Sequence, residues 1–130
     1  MTAKEYLMQY RQSMERTAEI EQHLAELKAE AIRLKDHEGQ SVKLDDATAK
    51  YVDACDEYAH ELNRLAAVRK EIKRTIEAVP DVRLRNMLTE IYMGGQTLVR
   101  IAADKNYSYE HICRLHGEAL RLVSGIMRTT

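Results

Sequence analysis

The chain carries two long rows of apolar residues with the three-and-four spacing of amphipathic helices. The first row runs through Leu7, Tyr10, Met14, Ala18, Ile20, Leu24, Leu27, Ala31 and Leu34. Thr2 and Glu5 form a capping-box signature ahead of it. The pattern therefore predicts a helix from Thr2 to about Lys35. One such stripe is not stable alone in water, so it must pair with another surface.

The second row follows a polar, glycine-containing segment, Asp36–Ser41, that is typical of a loop. Its apolar members are Tyr51, Cys55, Tyr58, Leu62, Leu65, Val68, Ile72, Ile76 and Val79. Asp45 or Asp46 suits the helix N-terminus, which leaves Val42–Leu44 irregular, and the helix is expected to reach about Val79. Two helices of similar length joined by a short loop favour an antiparallel hairpin over residues 1–79.

A two-helix hairpin leaves part of each apolar stripe exposed, and heptad-like repeats of this length commonly recruit further helices. We therefore expect a homodimer through the hairpin, or packing of one hairpin end against the C-terminal region. Stripe residues such as Met14 and Tyr58 are expected to belong to the core.

Pro80 interrupts the helical pattern and marks the start of a second region, residues 80–130. Asp81 can cap a shorter helix that ends at Gly94-Gly95. Its inward-facing residues are Leu84, Met87, Leu88 and Ile91. This helix and the two that follow it are expected to form a trihelical core. The predicted fold class is therefore all-α throughout.

The two following helices have the outline of a helix-turn-helix. Thr97 can cap the first, Lys105–Tyr107 form a turn, and Ser108 can cap the second. Ala102 supplies a small side chain where the helices must cross closely. Asn106 tolerates the left-handed conformation that a tight turn often needs.

The last helix has one apolar face and one polar face. The apolar face carries Ile112, Leu115, Ala119 and Leu122, and the polar face carries His111, Arg114, Glu118 and Arg121. Residues Val123, Ile126 and Met127 extend the helix beyond the trihelical core.

In a DNA-binding helix-turn-helix, the first residues of the second helix meet base edges in the major groove. The candidate DNA-binding residues are Thr97, Ser108, Tyr109, Glu110, His111, Arg114 and Arg121. An arginine can donate two hydrogen bonds to guanine, a carboxylate can accept from cytosine N4, and hydroxyls can bind phosphates or bases. The competing interpretation is that this polar face is simply solvated.

The net charge of −1 hides an uneven distribution. Residues 1–80 contain 13 Lys or Arg against 16 Asp or Glu, and residues 81–130 contain 7 against 5. Nonspecific attraction of the C-terminal region to phosphates is therefore expected to be weak. A junction cluster could supply additional phosphate contacts through Arg69, Lys70, Lys73, Arg74, Arg83 and Arg85. The alternative is that these residues form ordinary ion pairs on the helix surface.

The composition gives little support to catalytic or metal chemistry. Cys55 and Cys113 do not form a disulfide pattern and favour a reducing, cytoplasmic setting. Cys113, His116 and His111 lie close together in sequence, but no second pair of ligands completes a zinc site. We find no phosphate loop or nucleophile elbow, and we expect neither an enzyme nor a cofactor. No apolar run is long enough to cross a bilayer, so no membrane partner is expected.

The helix-turn-helix resembles the last such motif of bacterial sigma factors, region 4 of the sigma-70 family. The residues that carry this resemblance are Ile101, Ala102, Tyr107, Ser108, Glu110, Ile112, Ala119 and Leu120. The wider chain resembles a family of small phage and prophage proteins of Gram-positive bacteria. Its opening phrase Thr2–Leu7 and its closing phrase Tyr107–Leu120 carry that second resemblance.

Relatives of that family include phage late-transcription regulators of the ArpU and RinA type. The resemblance implies a sequence-specific regulator that binds double-stranded DNA, with contact to RNA polymerase as a further expectation. Two alternatives stay open. One is an adaptor that touches RNA polymerase or a host factor without reading DNA, and the other is a DNA-packaging recognition subunit.

Overall fold

The computed structural model describes residues 1–35 and 41–129, and their regular structure is entirely helical. The elements are α1 (Ala3–Lys35), α2 (Ser41–Glu77), α3 (Val82–Leu88), α4 (Leu98–Lys105) and α5 (Tyr109–Thr129). A π-helical segment, Thr89–Met93, directly follows α3. The all-α prediction is confirmed for these residues. The predicted loop at residues 36–40 lies outside the described part of the chain.

The chain divides into two compact units. One unit combines Met1–Gln12 with Ala67–Thr130, and the other is Ser13–Ala66. We call them the composite unit and the paired-helix unit. The long helices α1 and α2 each contribute residues to both units. The division at Pro80 into a hairpin and a helix-turn-helix domain stays a prediction.

The start of α1 is fixed by the predicted capping box. The backbone N–H of Thr2 donates to Oε2 of Glu5 at 3.0 Å, and the backbone N–H of Glu5 donates to Oγ1 of Thr2 at 3.1 Å. These reciprocal bonds satisfy two donors that a helix N-terminus otherwise leaves without partners. This local prediction is confirmed.

The predicted start of α2 was wrong, whereas its end was predicted to within two residues. Val42–Leu44 are helical, because α2 begins at Ser41 rather than near Asp45 or Asp46. The helix ends at Glu77, two residues before the predicted end. Pro80 disfavours helical backbone at Val79, and the N–H of Val79 donates instead to the carbonyl of Ile76 at 3.0 Å, a tighter turn.

Within the paired-helix unit, the two helical segments run in opposite directions. Arg16 Nε lies 3.0 Å from Oε1 of Glu61, while Leu34, near the end of α1, lines the same cleft as Ala47. The buried residues in the described part of this unit are Ser13, Thr17, Ile20, Leu34, Ala47, Ala54 and Glu61.

The predicted buried stripes were wrong at three positions of this unit. Met14 is 46% exposed, Leu62 is 41% exposed, and Ala18 is exposed as well. Their neighbours Ser13, Glu61 and Thr17 occupy the buried register instead. The apolar pattern predicted the wrong register because each of these exposed apolar residues directly follows the polar residue that is buried.

The composite unit contains the main hydrophobic core. Its buried members are Ala3, Leu7, Ile72, Ile76, Val79, Leu84, Met87, Leu88, Tyr92, Ile101, Ala102, Ile112, Ala119 and Val123. The predicted inward residues of the helix after Pro80 are among them, except Ile91, which is half-buried. Burying these apolar side chains is the principal force that holds α3, α4 and α5 together.

Within residues 1–35 and 41–129, none of the helices has the length and apolarity needed to cross a bilayer.

Candidate nucleic-acid interface

The turn between α4 and α5 has the left-handed geometry that the sequence predicts. Asn106 ends α4 with φ 57° and ψ 37°, and it is the one non-glycine residue with positive φ in the described ranges. The N–H of Tyr107 donates to the carbonyl of Ala102 at 2.9 Å, which closes the end of α4. Lys105, predicted to lie in the turn, is instead the last residue of α4.

Hydroxyl caps begin both helices of this motif, as predicted. Oγ1 of Thr97 accepts a hydrogen bond from the N–H of Arg100, and Oγ of Ser108 accepts one from the N–H of His111, each at 3.1 Å. Both caps are exposed to solvent. Since a hydroxyl that accepts one bond still carries its own proton, each cap can donate outward to a phosphate oxygen.

Helix α5 is held in place by its apolar face. Ile112 is 1% exposed, and Ala119 and Val123 are fully buried. Leu115 and Leu122, which were predicted to share this face, are half-buried. Ile101 and Ala102 of α4 are buried in the same core. Rigid burial on one side fixes which side chains α5 presents on the other.

The predicted base-reading residues lie at the first turns of α5 on the side that faces solvent. Ser108, Glu110 and Arg114 are exposed, and Tyr109 is 54% exposed. Arg121, two turns further along, is exposed as well. Among the described residues, Glu110, Arg114 and Arg121 take part in no ion pair. Their charges are therefore available to a ligand.

His111 differs from these neighbours because its ring is half-buried. The rings of His111 and Tyr107 meet edge to face, with centroids 4.9 Å apart and planes at 83°. This contact holds the imidazole against the turn. His111 is thus better suited to positioning the turn than to reaching deep into a groove.

The junction cluster divides at Pro80 into two groups of basic residues. Arg69, Lys70, Lys73 and Arg74 are exposed on α2. Tyr6, Lys70, Glu71 and Arg74 line one shallow cleft, where the Tyr6 hydroxyl bonds Oγ1 of Thr75 at 2.9 Å. Burial raises the pKa of Tyr6, and Glu71 adds to this effect. Because the carboxylate of Glu71 lies beside Lys70 and Arg74 in this cleft, the cluster is not purely basic there.

The two arginines beyond Pro80 already have partners. Arg83 pairs with Asp81 at 3.4 Å, and its hydrogen bond lowers the pKa of that carboxyl. Arg85 donates to the carbonyl of Val79 at 3.1 Å and to that of Pro80 at 3.5 Å. Arg85 thus completes the end of α2, and this role competes with its predicted phosphate contact.

Sequence reasoning missed one polar contact beneath this surface. The hydroxyl of Tyr92 lies 2.7 Å from Nε2 of His116, and the two rings stack with centroids 5.8 Å apart. Burial lowers the pKa of His116, and the nearby Lys4 lowers it further. Burial also raises the pKa of Tyr92, partly offset by Arg11. No sequence motif joins a tyrosine and a histidine 24 positions apart.

The side chains of His116 and His111, which lie close to Cys113 in the sequence, each contact a tyrosine. His116 bonds Tyr92 and His111 contacts Tyr107. Over residues 1–35 and 41–129, no three His, Cys, Asp or Glu side chains come together in a way that could hold a metal ion.

Comparisons of the chain with protein-family models, with curated proteins and with solved structures found no match. The resemblance to sigma region 4 and to phage regulators thus rests on the residues quoted above, and the functional argument rests on the geometry of α4 and α5.

Proposed function

We propose that residues 80–130 form a trihelical helix-turn-helix domain that reads double-stranded DNA in the control of phage or prophage transcription. In this proposal α3 and the π-helical segment support α4 and α5, and α5 enters the major groove. Residues 1–79 form the antiparallel hairpin that carries this domain.

One observation carries the proposal. A buried apolar face fixes α5, while its first turns present Ser108, Tyr109, Glu110 and Arg114 to solvent without ion pairs among the described residues. Arginine suits guanine, a carboxylate suits cytosine N4, and an exposed aromatic ring suits the thymine methyl group. These are the side-chain chemistries by which a recognition helix distinguishes base pairs.

Affinity would come from a second set of groups. The hydroxyl caps at Thr97 and Ser108 can bind phosphates at the two helix N-termini. Arg69, Lys70, Lys73 and Arg74 form the available part of the junction cluster, because Arg83 and Arg85 have partners within the chain. The modest excess of positive charge favours a binder whose affinity depends on base contacts more than on bulk electrostatics.

A DNA-binding assay over a range of salt concentrations tests this proposal. A pool of random duplexes is selected on the full-length protein, and the selected duplex is titrated by fluorescence anisotropy between about 50 and 300 mM salt. We expect enrichment of a defined sequence and an affinity that falls linearly on a log–log plot. Absence of enrichment and of binding at the lowest salt would overturn the proposal.

The adaptor alternative has an observation of its own. Val99 is 66% exposed on α4 and Tyr109 is 54% exposed on α5, so this surface is partly apolar. Apolar and aromatic residues on a rigid helical surface suit a protein partner as well as DNA. Binding of purified RNA polymerase by a protein that binds no duplex would favour the adaptor.

A further inference from the structure

A second row of mostly apolar positions runs along the outside of the paired-helix unit. On α2 it consists of Thr48, Val52, Cys55, Ala59, Leu62 and Ala66. Its steps alternate between four and three residues, which is the spacing of a coiled-coil seam. Val52 is 51% exposed and Leu62 is 41% exposed, and of the six only Cys55 is half-buried. This row carries no charge and yet faces solvent.

Helix α1 carries a matching row with the same alternation. It consists of Met14, Ala18, Glu21, Ala25, Lys28 and Ile32. Met14 is 46% exposed and Ile32 is 54% exposed. The two charged members, Glu21 and Lys28, have opposite signs and lie at nearly mirrored places on either side of Ala25. A row with opposite charges at mirrored places complements the same row running in the opposite direction.

Both outer rows lie on the same side of the paired helices. Each outer row follows the buried row of its helix by one residue, as Thr48 follows Ala47 and Met14 follows Ser13. One residue turns a right-handed helix by about 100°. Because the segments run in opposite directions, this turn brings both outer rows to one side. The rows together form a single two-helix face, which we call the outer face.

We propose that the outer face binds the outer face of a second copy of this chain, in an antiparallel four-helix arrangement with two-fold symmetry. The two-fold axis lies in the interface, perpendicular to the helices, and passes beside Ala25. It therefore sets α1 against α1 and α2 against α2 of the second copy. This proposal does not depend on DNA binding.

The charges of α1 complement each other in this register. Glu21 of one copy lies opposite Lys28 of the other, and the symmetry produces this pair twice. Ala18 then lies opposite Ile32, so that a small side chain meets a large one. In the isolated chain, Glu21 and Lys28 are two helical turns apart and do not pair.

The row on α2 is self-complementary in the same way. The Arg16–Glu61 pair and the cleft shared by Leu34 and Ala47 set Ala25 about level with Ala54, so the same axis sets Thr48 opposite Ala59 and Val52 opposite Cys55. Neither contact places a charge in the seam. Small side chains at most of these positions allow the helix axes to approach closely.

One axis serves both helices, so its position on α1 fixes its position on α2. Arg16 pairs with Glu61 and Leu34 lies beside Ala47, so Ala25 is level with Ala54. An axis beside Ala25 therefore crosses the α2 row between Val52 and Cys55.

The outer face is large enough for a stable dimer. From Ser13 to Lys35, α1 extends for about 34 Å, and a pair of helices is about 20 Å wide. Two such faces bury roughly 1,300 Å² in total, which is within the range of specific protein interfaces. Among the described residues of the paired-helix unit, the large buried side chains are those of Ile20 and Leu34, so burial of the outer face would add substantially to its apolar core.

Sedimentation equilibrium of the full-length protein tests the proposal, with Ala59→Glu and His60→Glu as a matched pair. Both residues are exposed and adjacent on α2, but only Ala59 belongs to the outer face. We expect a wild-type mass of twice 15.0 kDa. Ala59→Glu should weaken dimerisation about tenfold or more, because it buries two uncompensated carboxylates, and His60→Glu should leave it unchanged.

Circular dichroism of both variants checks that the helices remain formed. A wild-type protein that stays monomeric at about 100 μM would overturn the proposal. So would a dimer that Ala59→Glu and His60→Glu affect equally, because its interface would then lie elsewhere.

Reversing the charges of Glu21 and Lys28 tests the antiparallel register of α1 independently. Glu21→Lys alone and Lys28→Glu alone each set like charges opposite one another twice, and each should weaken the dimer. The double variant restores opposite charges and should recover the wild-type dissociation constant. Additive weakening in the double variant would exclude the antiparallel register.

A cysteine beside the axis gives a covalent readout. In a background where Cys55 and Cys113 are replaced by alanine, Ala25→Cys should form a disulfide-linked dimer on oxidation. Ala29→Cys is exposed on the same helix but lies off the outer row, so it should remain monomeric in non-reducing electrophoresis. Equal cross-linking of the two variants would contradict the position of the axis.

Discussion

The Tyr92 hydroxyl and Nε2 of His116 lie 2.7 Å apart, and this hydrogen bond joins the π-helical segment to α5. Tyr92 is almost fully buried and His116 is half-buried. Tyr92→Phe would remove the hydroxyl and leave the imidazole nitrogen without its partner. We expect a loss of about 1 kcal/mol in the free energy of unfolding, measured by urea denaturation. Tyr107→Phe, at an exposed ring, is the control and should cost much less.

The same contact predicts a dependence of stability on pH. Burial, together with Lys4, places the pKa of His116 below its ordinary value near 6.5. Between the lowered pKa and 6.5, the unfolded chain binds more protons than the folded one, so stability rises with pH in this window. Acidification below pH 6.5 should therefore destabilise the protein.

The variant His116→Gln provides the comparison, because glutamine can still bond Tyr92 and does not titrate. Urea unfolding at about pH 7.5 and about pH 5.5, at fixed protein concentration, should show a smaller pH effect in this variant than in the wild type. An identical pH effect in both proteins would assign the dependence to other groups.

The turn at Asn106 gives a second prediction of stability. Its φ of 57° is unfavourable for most residues, whereas asparagine and glycine adopt it readily. Asn106→Ala should destabilise the protein by about 1 kcal/mol, and Asn106→Gly should be close to neutral. Thermal unfolding distinguishes the two, and a destabilising glycine would mean that the asparagine side chain matters more than the backbone.

The sequence was most informative where the physics is local. Caps at Thr2, Asp81, Thr97 and Ser108 all form as predicted, because each depends on residues two or three positions away. The left-handed turn at Asn106 belongs to the same class. These features fix where the caps and the turn of α4 and α5 lie along the chain.

The register of the paired helices could not be read in the same way. Each long helix carries two rows of residues that lie one position apart. Apolar periodicity alone favours the row with Met14 and Leu62, whereas their neighbours Ser13 and Glu61 are the buried residues. Which row faces the partner helix depends on contacts between distant residues, such as Arg16 with Glu61. The bond between His116 and Tyr92, 24 positions apart, depends on tertiary packing for the same reason.

The buried carboxylate of Glu61 gives a third prediction of stability. Its residue is 8% exposed, Oε1 pairs with Arg16, and Oε2 has no hydrogen-bond partner among the described residues. An incompletely satisfied buried charge opposes folding. Glu61→Leu places an apolar side chain in the buried row and should stabilise the protein by about 1 kcal/mol or more.

Thermal unfolding of Glu61→Leu and Arg16→Ala tests this account of the carboxylate. Arg16→Ala removes the charge that pairs with Glu61 among the described residues and should destabilise the protein. A lower melting temperature for Glu61→Leu would show that the carboxylate contributes a favourable interaction to the folded state.

Arg114 offers the sharpest test of base reading by α5. Its side chain is exposed, has no ion pair among the described residues, and follows Ser108 by under two turns of helix. Arg114→Ala should keep the helical fold and lose about 1–3 kcal/mol of preference at one guanine position. Arg64→Ala, an exposed arginine of the paired-helix unit, is the control and should keep the wild-type preference. Competition titrations with duplexes altered one position at a time measure both, and equal loss at every position would reduce Arg114 to a phosphate contact.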